Sequence, residues 1–103
     1  MKLYDVKQTD YRNQANVMKA LGHPSRLLIV HALMDHELCV CELRELLGQT
    51  LPTVSRHLSV LKNAGLLNEE KRGLYVYYHL TCPCIGDFLD CVGRITGEAG
   101  GAA

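Results

Sequence analysis

The spacing of apolar residues changes at Gly65, and this change constrains the fold more than any other feature of the sequence. Before Gly65, apolar residues recur at intervals of three and four, which predicts a series of amphipathic helices. Residues 66–80 alternate instead, around a turn at residues 72–73, which predicts a β-hairpin. The apolar members of this alternation are Leu74, Val76, Tyr78 and Leu80. Because helical spacing returns in residues 82–95, the predicted fold class is mainly α with a small β-hairpin.

Five helices are predicted from apolar stripes and from the residues that begin or end them. The first ends at Gly22, the second has Pro24 in its first turn, the third ends at Gly48, and the fourth begins after Thr50. The fifth lies within residues 82–95 and either completes the core or pairs with a second copy of itself. The stripe of the first helix is Tyr11, Ala15, Met18 and Leu21, that of the fourth is Val54, Leu58 and Leu61, and that of the fifth is Ile85, Phe88, Leu89, Val92 and Ile95.

Length and composition indicate one domain over residues 1–103. With 103 residues, 48% of them apolar, the chain can bury only about two-thirds of its unfolded surface, so burial against a partner would stabilise it. Residues 97–103 are small and are expected to form a disordered tail. The first residues lack the apolar run of a signal peptide, and no stretch has the roughly 18 consecutive apolar residues of a membrane helix. We therefore expect a cytoplasmic protein with no membrane partner.

The charges balance, at 11 basic and 11 acidic residues, but they are unevenly distributed. Residues 49–68 contain Arg56 and Lys62 but no aspartate or glutamate. The polar face of the fourth predicted helix carries short side chains and one guanidinium, which can approach base edges and phosphates closely. The predicted DNA contacts, including the basic hairpin tip, are Gln49, Thr50, Thr53, Ser55, Arg56, His57, Ser59, Lys62, Lys71 and Arg72. Two helices joined by a short turn and followed by a basic hairpin predict a winged helix-turn-helix, whose second helix enters the major groove.

Four segments in this order resemble the ArsR/SmtB family of metal- and metalloid-responsive bacterial repressors, over roughly residues 11–96. They are ALGHPSRLLIVHAL at 20–33, ELCVCEL at 37–43, TVSRHLSVLKNAGLL at 53–67 and KRGLYVYYHL at 71–80. The resemblance implies a homodimer joined through the first and fifth helices. It also implies that the dimer binds a palindromic operator on double-stranded DNA and releases it when an inducer ion binds, with no permanently bound cofactor.

Two departures from the family patterns bear on the ion. The best-known arsenic sensors resemble ELCVCDLC, whereas the position of their third cysteine is Arg44 here. The family's zinc sites have Asp-x-His at the start of the fifth helix, where this chain has Cys82, Pro83 and Cys84, and no histidine follows. Because thiolates select soft ions, the substitution favours arsenite or antimonite, and after them cadmium or lead, over zinc.

The candidate ion ligands are all five cysteines, Cys39, Cys41, Cys82, Cys84 and Cys91. An odd number of cysteines in a chain without an export signal favours reduced thiols over a disulfide framework. The preferred hypothesis is a site at Cys39 and Cys41 completed by Cys82 or Cys84, within one chain or across the dimer. The fallback is a separate site of Cys82, Cys84 and the Cys91 of a second copy.

Other interpretations of these residues stay open. Cys39 and Cys41 can be buried structural residues, the thiols beside Pro83 can cap a turn, and Cys91 can belong to a dimer core. A redox-sensing repressor of the same fold would instead oxidise Cys82, Cys84 or Cys91 to a disulfide.

Histidine and tyrosine positions give little support to other functions. No histidine has helical metal spacing to another, and His31 is expected to pack within the second helix. Tyr75, Tyr77 and Tyr78 are interpreted as sheet packing. Ser55 and His57 have no carboxylate in place to orient the histidine, and no βαβ scaffold for thiol exchange is visible, so no enzymatic activity is expected.

Overall fold

A computed structural model describes residues 10–98. Its helices are α1 (Arg12–Leu21), α2 (Pro24–Leu33), α3 (Val40–Leu47), α4 (Leu51–Asn63) and α5 (Ile85–Thr96). Its strands are β1 (Leu38–Cys39), β2 (Leu67–Arg72) and β3 (Tyr75–Leu80). The predicted order of four helices, a hairpin and a fifth helix is confirmed, and a short strand before α3 is added to it.

The added strand makes the hairpin part of a three-stranded antiparallel sheet in the order β1-β3-β2. Leu38 pairs with Tyr78 and Cys39 with Tyr77. Sequence periodicity did not indicate β1 because two residues are too few to show an alternation. As a consequence, Cys39 is extended, with φ −84° and ψ 164°, and lies directly before the first residue of α3.

The helix-turn-helix of α3 and α4 is formed as predicted. Gly48 ends α3 with φ 65°, a left-handed conformation that glycine adopts without the steric cost paid by other residues. Pro52 lies in the first turn of α4, after Thr50. The predicted stripe of Val54, Leu58 and Leu61 is buried, so the opposite face of α4 is directed away from the core.

Two predictions about apolar packing are wrong. His31 is exposed, because Ile29, Val30 and Leu33 occupy the buried face of α2. Leu74 is 95% exposed, because the hairpin turn is formed by residues 73–74 and Leu74 precedes β3. We call residues 67–80 the wing.

The stripes of α1 and α5 are only partly covered within one chain. Leu21 and Leu89 are buried, whereas Met18 is 50% and Ile95 is 84% exposed. The same faces also expose Tyr11, Ala15 and Phe88. This distribution leaves apolar surface on both helices that a second copy could cover.

The described chain ends shortly after α5. Gly97 follows this helix in the left-handed region, and residues 99–103 of the tail that was expected to be disordered lie outside the described residues. The N-terminal segment 1–9, where no signal peptide was expected, also lies outside them. No helix within residues 10–98 combines the length and apolar character needed to span a bilayer.

Candidate functional site

The exposed face of α4 carries the central DNA candidates. Ser55, Arg56 and Ser59 are exposed, and Thr53 near the start of the helix is half-buried. Within residues 10–98, Arg56 forms no ion pair, so its guanidinium is free to meet an external acceptor. This face therefore presents small hydroxyl groups and one cation on a rigid helix.

The turn that precedes α4 is fixed to the rest of the protein. The Nε2 group of Gln49 donates to the Ser25 hydroxyl of α2 at 2.8 Å. The hydroxyl oxygens of Thr50 and Thr53 are 3.0 Å apart. Gln49 was predicted as a DNA contact, but it is half-buried and its side chain holds the start of α4 against α2.

His57 is half-buried and is directed toward α2. Its ring centroid lies 4.5 Å from that of His23, and its Nδ1 is 3.3 Å from an Nη atom of Arg26. Burial lowers the pKa of His57, and the charges of His23, Arg26 and Arg56 lower it further. His57 thus joins α4 to the start of α2, a contact that its position in the sequence did not indicate.

Two of the four predicted cations are already paired with acids of the same chain. Lys62 forms an ion pair with Glu69, whose other carboxylate oxygen accepts from the Tyr78 hydroxyl at 2.9 Å. Arg72 pairs with Glu37 and Glu70. The hydrogen bonds with Lys62 and Tyr78 lower the pKa of Glu69.

The remaining wing cation, Lys71, is exposed and has no ion pair within the described residues. Sequence reasoning missed the acidic partners because they lie outside the acid-free segment 49–68. The dipeptide Glu69–Glu70 directly after that segment was the available signal for two of them. Arg56 and Lys71 are therefore the cations best placed for phosphates or bases.

Cys39 and Cys41 lie at the junction of β1 and α3 in different environments. Cys39 is 7% exposed and begins the helix through a capping box, in which its N–H donates to the Glu42 carboxylate at 3.0 Å and its sulfur faces the Glu42 backbone N–H. Burial raises the pKa of the Cys39 thiol, and the Glu42 carboxylate adds to this. Cys41, one residue into the helix, is exposed. An ion at this junction would have to displace a proton from Cys39.

Cys82 and Cys84 form a disulfide across Pro83, with their Cα atoms 5.3 Å apart. Both residues are exposed and directly precede α5. The expectation of free thiols is therefore wrong for this pair in the structure, because the Pro83 turn brings the two sulfurs together. Either sulfur must be reduced before it can ligate an ion as a thiolate.

Cys91 is a free, exposed cysteine on α5. Within residues 10–98, no group of three or more histidine, cysteine, aspartate or glutamate side chains is arranged to hold a metal ion. A three-thiolate site would therefore require movement of the chain or a ligand from a second copy.

Comparisons with known proteins agree with this arrangement. The family model described as "Bacterial regulatory protein, arsR family" matches residues 23–69. The chain is 31% identical to an uncharacterized HTH-type transcriptional regulator of Methanocaldococcus jannaschii over 86 residues, 82% of this chain and 97% of that protein.

Two further relatives have names that include an ion. The chain is 44% identical to the arsenical resistance operon repressor of Escherichia coli over 66 residues, which are 63% of this chain and 56% of the repressor. It is 36% identical to a cadmium resistance regulatory protein, a CadC homolog of Staphylococcus aureus, over 74% of this chain and 64% of that protein. The chain thus spans less than two-thirds of both relatives.

Two solved structures superpose on most of this chain. The transcriptional repressor BigR from Xylella fastidiosa superposes with a TM-score of 0.76 at 30% identity, covering 92% of this chain and 96% of BigR. A homodimeric winged helix-turn-helix DNA-binding domain of Mycobacterium bovis superposes with a TM-score of 0.75 at 28% identity, covering 88% and 89%. The predicted winged helix-turn-helix fold is confirmed.

Proposed function

Because the chain belongs to the ArsR family of bacterial regulatory proteins, we propose that it is a repressor released from its operator by arsenite or antimonite. A homodimer binds a palindromic operator without the ion, and cysteine thiolates bind the ion and weaken DNA binding. The family and fold are those of DNA-binding transcriptional regulators. In this proposal the protein acts in the cytoplasm and carries no resident cofactor.

The observation that carries the proposal is the position of Cys39 and Cys41 at the junction of β1 and α3. Helix α3 packs against α4, and β1 pairs with β3 of the wing. An ion bound at this junction therefore acts on both elements that face DNA. The coupling is reciprocal, so bound operator must weaken ion binding by the same factor.

The ion is proposed to be thiophilic because the candidate ligands are cysteines. Sulfur ligands select soft ions, whereas imidazole and carboxylate suit zinc better. The similarity to an arsenical resistance operon repressor supports arsenite or antimonite. The similarity to a cadmium resistance regulator supports cadmium, with lead, as the alternative ions.

The third ligand is proposed to be Cys82 or Cys84 after reduction of their disulfide. Cys84 and Cys91 of one chain are seven residues apart, about 10.5 Å along a helix, which is too far for two sulfurs that share one ion. The fallback is therefore a site of Cys82, Cys84 and Cys91 of the partner subunit.

The DNA contacts are proposed to come from Arg56, Ser55 and Ser59 of α4, with Lys71 of the wing on the phosphates. In the dimer, the two copies of α4 would lie about 34 Å apart, one turn of the double helix. The exposed apolar residues of α1 and α5, Met18 and Ile95 among them, are proposed to form the interface between copies.

Titration of operator binding under strong reductant tests the function. Fluorescence anisotropy of a labelled operator should fall on addition of arsenite or antimonite, and Cys39→Ser should retain operator binding but lose this release. Cys91→Ser is the matched control for the preferred site. If Cys39→Ser releases operator as the wild type does while Cys91→Ser does not, the sensor is the site at the start of α5. If no thiophilic ion releases the wild type, the proposal fails.

The Cys82–Cys84 disulfide supports a second candidate, a repressor controlled by thiol oxidation. Hydrogen peroxide would take two electrons from the two thiols, forming the disulfide and two molecules of water. Oxidation should then change operator affinity without any ion, and Cys82→Ser should abolish the change. Equal affinities of the oxidised and reduced protein would exclude this candidate.

A further inference from the structure

Arg72 is predicted from the sequence as a DNA contact, yet its guanidinium is turned back over the outer face of the sheet. Its two Nη groups donate to the two carboxylate oxygens of Glu37, at 2.5 and 2.8 Å, and one of them also donates to Glu70 at 2.8 Å. The guanidinium carbon lies 4.8 Å from the centre of the Tyr77 ring. These hydrogen bonds raise the pKa of Arg72 and lower the pKa of both carboxyl groups.

The bridge between Glu37 and Arg72 connects the two edge strands of the sheet. Glu37 directly precedes β1, and Arg72 is the last residue of β2, with β3 between them. Only two residue pairs join β1 to β3, one of which is Cys39 with Tyr77. Because so short a strand has few backbone hydrogen bonds of its own, the bidentate arginine–carboxylate contact adds to the attachment that burial of Leu38 and Cys39 provides.

The same strand carries a proposed ion ligand. Cys39 is two residues after Glu37, and alternation along a strand puts both on the sheet face that carries Tyr77. Cys39 is buried, so an ion can reach its sulfur together with the exposed sulfur of Cys41 only if this segment moves. Such a movement changes the separation of Glu37 from Arg72.

We infer that the Glu37–Arg72 bridge is a positioning contact that couples the segment carrying Cys39 to the wing. The inference rests on the proposed function, since it assigns to this bridge part of the signal from ion to DNA. Arg72 then acts through Glu37 and sets the position of the wing, while Lys71 beside it is left to neutralise phosphate.

Two substitutions separate this role from a phosphate contact. Glu37→Gln removes the charged acceptor, and Arg72→Lys keeps a positive charge on the wing but cannot form the bidentate pair. In both variants the loss of affinity caused by arsenite, measured relative to each variant's own affinity for operator without ion, should shrink about three- to tenfold. Glu45→Gln, which removes an exposed carboxylate of α3, is the control and should leave release unchanged.

Several outcomes would overturn the inference. Full release of operator from Glu37→Gln by arsenite would show that the bridge carries no signal. An Arg72→Ala variant whose binding loses about one unit of salt dependence would identify Arg72 as a phosphate contact instead.

A wild-type protein that no thiophilic ion releases from operator would refute the proposed function, and amide hydrogen exchange then decides the coupling by itself. Glu37→Gln should speed exchange at residues 72–74, and Arg72→Lys should speed it in β1, because each edge strand loses the support of the other. Exchange rates equal to the wild type in both segments would overturn the coupling.

Discussion

His57 of α4 packs against His23 at the start of α2, with ring centroids 4.5 Å apart and planes inclined by 49°. The Arg26 guanidinium lies beside Nδ1 of His57 and also donates to the backbone carbonyl of Ala20 in α1. Arg26 can donate to Nδ1 only while that nitrogen is unprotonated. The contact that joins α4 to α1 and α2 therefore requires a neutral imidazole.

The first prediction is that the protein loses stability as the pH falls below about 6.5. Burial and the neighbouring cations lower the pKa of His57 from its ordinary value of 6.5, so the unfolded chain takes up this proton at a higher pH than the folded chain. The free energy of unfolding should therefore decline with falling pH in this range and recover as the pH rises.

Urea unfolding of the wild type and His57→Gln, between about pH 8 and pH 5, checks this pH dependence. Between these pH values, the free energy of unfolding of His57→Gln should fall less than that of the wild type. His31→Gln, on the exposed side of α2, is the control. An equal loss of pH dependence in the control would contradict the assignment to His57.

The second prediction concerns base recognition by α4. Arg56→Ala should weaken operator binding by about 1 to 3 kcal/mol, because Arg56 is exposed, is free of ion pairs within the described residues and lies on the face proposed to enter the groove. Arg44→Ala, which removes an exposed arginine of α3, should change binding much less. Anisotropy with the operator and with single-base variants measures both, and unaltered sequence preference in Arg56→Ala would refute base contact.

The third prediction is that the wing cations differ in their contribution to salt dependence. Lys71→Ala should reduce the slope of log affinity against log salt by about one, because an unpaired lysine on a phosphate releases a counterion. Lys62→Ala should reduce it less, since Lys62 is already paired with Glu69. Binding isotherms at several salt concentrations compare the two, and equal reductions would show that the Lys62–Glu69 pair opens on DNA.

The fourth prediction is that α5 forms part of the interface between copies. Ile95→Glu should weaken the dimer by about 1 to 2 kcal/mol or more, because it introduces a charge into an apolar contact. Leu74→Glu is a matched control, since Leu74 is similarly exposed at 95% but lies in the wing turn. Sedimentation over a concentration series checks the prediction, which fails if Ile95→Glu remains as dimeric as Leu74→Glu.

The fifth prediction concerns the close approach of α5 to α2. A Cβ atom on Gly86 would lie 2.7 Å from the sulfur of Met34, so the flexible end of the Met34 side chain must shift in Gly86→Ala. This steric cost should offset part of the roughly 1 kcal/mol by which alanine stabilises a helix relative to glycine. In a Met34→Ala background, Gly86→Ala should be more favourable for stability than it is in the wild type. Additive effects of the two substitutions on stability, measured in a double-mutant cycle from thermal unfolding, would exclude this steric cause.

Much of the fold was predictable because its signals are local. Gly48 ends α3, Thr50 precedes α4, and the stripe of Val54, Leu58 and Leu61 is buried, each as expected. These features depend on backbone conformation and on side-chain spacing along one helix. The hairpin turn was predicted at residues 72–73 but lies at residues 73–74, so Leu74 is an exposed turn residue and not part of β3. Alternation shows that a strand is present but does not fix its first residue.

The residues of the candidate site were predictable from the sequence, but their burial and their ion pairs were not. The acid-free segment 49–68 and the cysteine spacings are visible in the printed sequence. The burial of Cys39 and the exposure of Cys41 were not, since they depend on β1 joining the sheet. The pairing of Lys62 with Glu69 depends in the same way on how α4 packs beside β2.

The sequence by itself determined the order of the helices and the hairpin, the buried face of α4 and the residue types available for DNA and for soft ions. Tertiary structure alone decided which of those side chains are exposed and which are already paired within the chain. Arg72 and Glu37 are 35 positions apart, and they meet because the sheet brings its two edge strands together. Periodicity reports interactions within one element, whereas ion pairs and burial depend on the packing of elements that are distant along the chain.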